Sequence, residues 1–219
     1  ESEQTRANRL TVGLFKVIII YNKRSISKMP KIVDRQQSRK HLLQQSFELF
    51  AEIGYGNITM RQLAQKLGVS TGTLYHYFPS KEAMFLQLVT EQTQQDIAIF
   101  LSRASEIPPD IRSRVRAILD FVSENREYFT QQAIVSLDYC QQYRNRSQEP
   151  QADPIFEQVD RELIQVINDY LPIDNPEIAG FILNFINGLI LGEIYHSNFT
   201  NWEVQSELFV AAIAGISNK

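Results

Sequence analysis

The chain has 219 residues, 43% of them hydrophobic, enough for one large domain or for a small domain joined to a medium one. Its single cysteine, Cys140, closes no intrachain disulfide, and no Cys/His cluster has metal-ligand spacing, so a disulfide framework and a zinc fold are excluded and a reducing, cytoplasmic setting is expected. The net charge of −3 conceals an asymmetry: residues 1–30 hold six Lys/Arg against two acids, residues 31–81 seven against three, and residues 82–219 nine against twenty. A basic end on an acidic body suits a nucleic-acid reader, because phosphate affinity follows local Lys/Arg and not net charge; by count alone, a solvated charge run looks the same.

In chain order, Val12 to Tyr21 is apolar apart from Lys16. It is about half as long as the roughly 20 residues a bilayer span needs, and no small-residue cleavage site follows, so neither a membrane anchor nor export is expected. The text turns regular after Met29-Pro30-Lys31. Met29 is therefore expected to be the biological start, with residues 1–30 a non-core extension.

From Arg35 to Ile53 the residues Leu43, Phe47, Phe50 and Ala51 repeat at helical spacing, and Gly54 and Gly56 end that helix. Thr59-Met60-Arg61-Gln62 has the form of a capping box opening a second helix, whose buried face is Met60, Leu63, Ala64 and Leu67 and whose stop is Gly68. Ser70 caps a third short helix, Thr71 to Tyr77, with Leu74 and Phe78 inward; Pro79 breaks it and Ser80 caps a fourth. Two short helices joined by a tight glycine-containing turn form a helix-turn-helix, with the motif at about 60–79 and the DNA-binding domain at 31–80.

The outward residues of the third helix agree. Thr71 and Thr73 are short hydroxyls that bond bases or phosphates, and Gly72 lets the backbone approach closely. Tyr75, His76 and Tyr77 extend further, with the alternatives that the tyrosines are partly core and the histidine an ordinary exposed one. Lys81 puts a cation beside the free N–H groups of a helix start, a phosphate site. Lys31, Arg35, Arg39 and Lys40 make a basic arm.

The run ITMRQLAQKLGVSTGTLYHYFPSKEAMF resembles the DNA-binding head of the tetracycline-repressor (TetR) family, whose LYxYF-x-x-K-E pattern appears as Leu74-Tyr75-His76-Tyr77-Phe78-Pro79-Ser80-Lys81-Glu82. The match spans about 50 residues, Arg35 to Phe85. The resemblance implies base contacts from Thr71, Gly72, Thr73 and His76, and phosphate contacts from Thr59, Tyr75, Tyr77 and Lys81. Arg39 of the basic arm joins the phosphate set. The implied partner is a double-stranded, pseudo-palindromic operator.

Beyond Lys81 the pattern is helical throughout, in segments 81–104, 109–124, 126–146, 155–171, 176–198 and 202–217 separated by prolines, with no strand pattern or repeat. The fold class is therefore all-α: a three-helix head and, over 81–219, a helical body that the resemblance implies is a ligand-sensing and dimerisation domain. Gly188, Leu191, Gly192 and Tyr195 share one side of a helix, and Phe209, Ile213 and Ile216 form a stripe on the last; these are expected at a homodimer interface, with intrachain core as the alternative. Phe121, Tyr128, Tyr139, Tyr143, Phe181 and Phe185 offer aromatic surface for a small, largely apolar effector, with the same alternative. Cys140 has no basic neighbour and reads as an inert thiol.

No nucleophile–base pair, phosphate-cradling glycine loop or metal motif appears, so an enzyme is not expected and no cofactor is assigned. The function expected is a DNA-binding transcriptional repressor released by a ligand. The alternative is a regulator acting through protein contacts without a small molecule.

Overall fold

The computed structural model describes residues 31–146, 154–173, 175–195 and 201–217. The Met29 start, the 1–30 extension, the Pro150 break and the end of the segment expected to reach 198 lie outside them. The described residues form nine α-helices and no strand: α1 (Lys31–Ile53), α2 (Met60–Lys66), α3 (Thr71–Tyr77), α4 (Lys81–Ala104), α5 (Ile111–Glu124), α6 (Arg126–Arg146), α7 (Pro154–Tyr170), α8 (Pro176–Tyr195) and α9 (Trp202–Ser217). The all-α class is that read from the sequence. Two compact units divide the chain, Glu1–His41 and Leu42–Lys219; the first contributes the opening turns of α1.

Local chemistry sets the helix ends. Thr59 and Gln62 form the expected capping box, with Gln62 N donating to Thr59 Oγ1 at 3.3 Å and Thr59 N donating to Gln62 Oε1 at 2.9 Å. Ser70, Ser80 and Asp110 cap α3, α4 and α5 by accepting from Thr73 N, Ala83 N and Ser113 N. Gly54 (φ +91°) and Gly68 (φ +70°) take the left-handed conformation that ends α1 and α2. Gly68 is exposed, and a Cβ there would meet nothing within 4 Å, so its backbone angle and not close packing requires glycine.

Within the second unit two apolar clusters form. The first gathers Leu42, Leu43, Phe50, Tyr55, Ile58, Leu63, Leu74 and Phe78 with Met84, Phe85 and Leu88 of α4 and Val135 and Tyr139 of α6. The buried face of α1 is thus Leu42, Leu43, Ser46 and Phe50; Ala51, expected inward, faces solvent. The second cluster joins Val115, Leu119 and Val122 of α5, Ile167 and Tyr170 of α7, Ile182 and Ile186 of α8, and Val210 and Ile213 of α9. Glu177–Tyr195 is long and apolar enough for a membrane span by composition, yet Ile178, Ala179, Ile182, Ile186, Leu189 and Ile190 pack into this cluster as a core helix does.

A polar knot links α4 to α6. Tyr128 Oη donates to Asp96 Oδ1 at 3.2 Å, and Gln132 Nε2 donates to Tyr128 Oη at 2.6 Å and to Asp96 Oδ2 at 3.4 Å. Burial pushes the Asp96 carboxyl up from 3.8 to about 6, against the two hydrogen bonds that favour its charge. The folded chain therefore holds this proton more tightly than the unfolded chain. Ionising Asp96 costs stability as pH rises from about 4 to about 6, and the penalty is constant above that. Asp96→Asn should remove it: thermal melts across pH should show the variant gaining on the parent through this window, by on the order of 2 kcal/mol at pH 7.

Candidate nucleic-acid interface

Helices α2 and α3 pack through Leu63, Ala64 and Leu74, each at most 1% exposed. Leu74 points inward from the middle of α3, and Phe78 closes its C-terminal end, fully buried. Burying one residue per turn turns the rest of so short a helix outward. Thr71, Gly72, Thr73, Tyr75 and His76 are all exposed, Tyr75 by 50%. Two side chains of α3 have local work. Thr73 Oγ1 shares a 2.8 Å hydrogen bond with Ser70 Oγ, while the Tyr77 ring is half-buried against the first cluster and meets Phe78 at 6.2 Å. The reading of Tyr77 as partly core is the one its packing favours; Tyr75 is free of that cluster.

Two expected phosphate ligands are also engaged within the protein. Thr59 Oγ1 donates to Gln62 Oε1 at 2.8 Å, completing its box. Lys81 opens α4, but its ammonium is not poised at that helix's own N–H groups. It reaches across the α1–α2 connection, donating to Tyr55 O at 2.6 Å and Ile58 O at 2.8 Å with Nζ 4.3 Å from the Tyr55 ring centroid. The loop brings two carbonyls beside a helix start, and the lysine there donates to both. Arg35, Arg39 and Lys40 lie on α1 in the first unit, with Arg39 half-buried.

The loop that Lys81 holds is also tied to α6. Gly56 N donates to Asp138 Oδ2 at 3.0 Å, and a Cβ at Gly56 would lie 2.7 Å from Gln142 Nε2 and 3.3 Å from Asp138 Oδ1. Gly56 is thus not a second helix stop but a point of close approach. Tyr55 packs against both Phe85 and Tyr139, with centroids 5.1 Å away in each case. No periodicity marks Tyr55, Asp138 or Gln142 as a set, because three separate segments supply them.

The six expected effector aromatics do not converge. Tyr139 stacks on Phe85 at 4.4 Å inside the first cluster, with Tyr143 behind it. Tyr128 belongs to the Asp96 knot, and Phe121 packs between Phe100 and Phe129. Phe181 and Phe185 lie on Phe209, Phe185 stacked at 3.9 Å. That stacking corrects two dimer expectations: Phe209 (6% exposed) and Ile213 (0%) are intrachain core, covered by α8 and α5, and present no surface to a partner. Gly188, Tyr195 and Ile216 are exposed, and Leu191 and Gly192 half-buried.

Residues 42–88 match the family model described as bacterial regulatory proteins, tetR family. The chain is 36% identical over 73 residues to the HTH-type transcriptional repressor Rv1474c of Mycobacterium tuberculosis, covering 32% of this chain and 39% of that protein. It is 26% identical over 182 residues to the nucleoid occlusion factor SlmA of Haemophilus ducreyi, covering 80% of this chain and 88% of that one. In fold it resembles a TetR transcription regulator from Haloarcula marismortui with a TM-score of 0.64 at 14% identity, over 83% of this chain and 98% of that one.

The Lys81 bridge yields a direct test. Lys81→Met keeps the stem and removes the ammonium, leaving the Tyr55 and Ile58 carbonyls without their donor. Chemical denaturation should show a loss of about 1–3 kcal/mol, larger than for a surface lysine such as Lys66→Met.

Proposed function

Because the chain belongs to the tetR family of bacterial regulatory proteins, we propose that it is a homodimeric transcriptional repressor that sets α3 in the major groove of a pseudo-palindromic operator and is released when a small molecule binds its helical body. The observation that carries this reading is the burial of Leu74 beneath an otherwise exposed α3, which turns Thr71, Gly72, Thr73 and His76 outward together. These four are assigned to base edges, Thr71 first because it stands exposed at the opening position of α3. Tyr75, Thr59, Tyr77, Lys81 and Arg39 are assigned to backbone phosphates, the middle three by re-aiming groups now in use within the head. In functional terms residues 31–80 read DNA and residues 81–219 sense and dimerise.

Dimerisation is supported by an unpaired face on the last two helices. Phe181 (52% exposed), Gly188 and Tyr195 (72%) line one side of α8, and Val204, Leu208 (62%), Gly215 and Ile216 line one side of α9. A Cβ at Gly188 or Gly215 would meet nothing within 4 Å, so both leave room for another backbone. A two-fold pair would place the recognition helices about 34–36 Å apart on successive major grooves. Release then requires a ligand that binds better to a body conformation in which α4 holds the heads at another spacing.

Thr71→Ala should change preference at one base position by about 1–3 kcal/mol, whereas Arg39→Ala should weaken all sequences alike and flatten the salt dependence of binding. Selection from random DNA and gel shifts in rising salt read the two; identical effects on every sequence would overturn the assignment. Leu208→Glu should convert the dimer to monomer in sedimentation without unfolding the helices. Ile213→Ala, within the core, should instead cost about 2–5 kcal/mol of stability.

A further inference from the structure

Where α4 ends, the chain turns, and α5 begins, a cavity of about 380 Å³ lies against α7. That volume falls near the small end of ligand pockets, about 300–1,000 Å³. Leu101, Ala104, Ile107 and Val166 supply apolar wall, and none of the six aromatics expected from sequence takes part. Its polar side is dominated by Arg114 and Tyr170. An Arg114 terminal N–H donates to the Tyr170 carbonyl oxygen, and the guanidinium sits 5.0 Å from the Tyr170 ring centroid. Two buried polar atoms here have no hydrogen-bond partner: Arg114 Nε and the Tyr170 hydroxyl. Both belong to residues of this one cavity.

The chemistry of these groups defines what would complete them. Arg114 Nε only donates, and burial holds the Tyr170 hydroxyl protonated beyond its ordinary range, with Arg114 pulling the other way. One donor on a fixed cation beside a neutral phenol donor calls for an anionic acceptor with two oxygens, which a carboxylate offers. The apolar walls call for a hydrocarbon body. Asp169 also lines the cavity, exposed and accepting from Gln165 Nε2 at 2.7 Å, and its charge disfavours any ligand with a second negative group.

We propose that this cavity binds a monocarboxylate with a short apolar chain, its carboxylate accepting from Arg114 and Tyr170. The inference rests on the reading of the body as a small-molecule sensor and adds the chemical class and the place.

Octanoate, octanol and octylamine serve as probes for the full-length protein in titration calorimetry. Octanoate should bind and the other two should bind at least about ten-fold more weakly, the effect of losing a charge-assisted pair. Arg114→Met should lower octanoate affinity about ten-fold or more, and Tyr170→Phe several-fold. Arg114 also braces α7, so Ser105→Trp provides a second route: an exposed wall residue enlarged into the cavity should abolish binding while leaving the melting temperature unchanged. Octylamine binding as well as octanoate, or octanoate affinity unchanged in both Arg114→Met and Ser105→Trp, would overturn the proposal. Operator release is scored separately by gel shift. Octanoate binding without release would leave this site standing and refute the ligand-release reading; release by another compound with octanoate unbound would do the reverse.

Discussion

The reading head depends on how one short connection is held. Between α1 and α2 the chain exposes the Tyr55 and Ile58 carbonyls, and the Lys81 ammonium takes both while lying over the Tyr55 ring. That ring in turn sits against Phe85 and Tyr139. The capping box at Thr59 follows directly, so the direction in which α2 departs, and with it α3 packed on Leu63 and Leu74, is set by this bridge. A lysine that sequence pattern places at a phosphate is in the folded chain a brace for the helix-turn-helix itself.

This bridge marks the line between what local pattern discloses and what it does not. The capping box at Thr59, the stops at Gly54 and Gly68 and the inward spacing of Met60, Leu63, Ala64, Leu74 and Phe78 depend on residues close in sequence, and each was legible. Sequence pattern does not show which aromatic residues of the body are neighbours, since Tyr139 and Phe121 lie on similar helices yet join different clusters. Phe209 and Ile213 show the same limit on a single helix. An apolar stripe on a helix with apolar residues on more than one face does not say which side meets its own chain, and here α8 covers one side while Leu208 and Ile216 stay outside. The Asp138 contact to Gly56 spans 82 residues, beyond the reach of any periodicity.

Several polar groups in the body are tied to a partner on another helix. Asp96 is held by Tyr128 and Gln132, Trp202 Nε1 donates to Glu193 Oε1 at 2.6 Å, and Arg116 pairs with Glu207 at 2.6 Å. Such ties fix the register of helices whose apolar faces alone would tolerate sliding. Arg114 Nε and the Tyr170 hydroxyl are buried without a hydrogen-bond partner, together and at one cavity, which is why that cavity stands apart from ordinary packing defects.

The first apolar cluster also bears on how regulators of this kind can be recombined. Its members run past the recognition helix to Met84, Phe85 and Leu88, and then to Val135 and Tyr139 on α6. A head excised at residue 80 would leave behind five of the side chains that fill its own interior. Grafting this reading head onto a foreign sensor therefore means transplanting a discontinuous unit, in which the first half of α4 and the strip of α6 that approaches Gly56 travel with the head. The natural cassette is defined by packing and not by chain order.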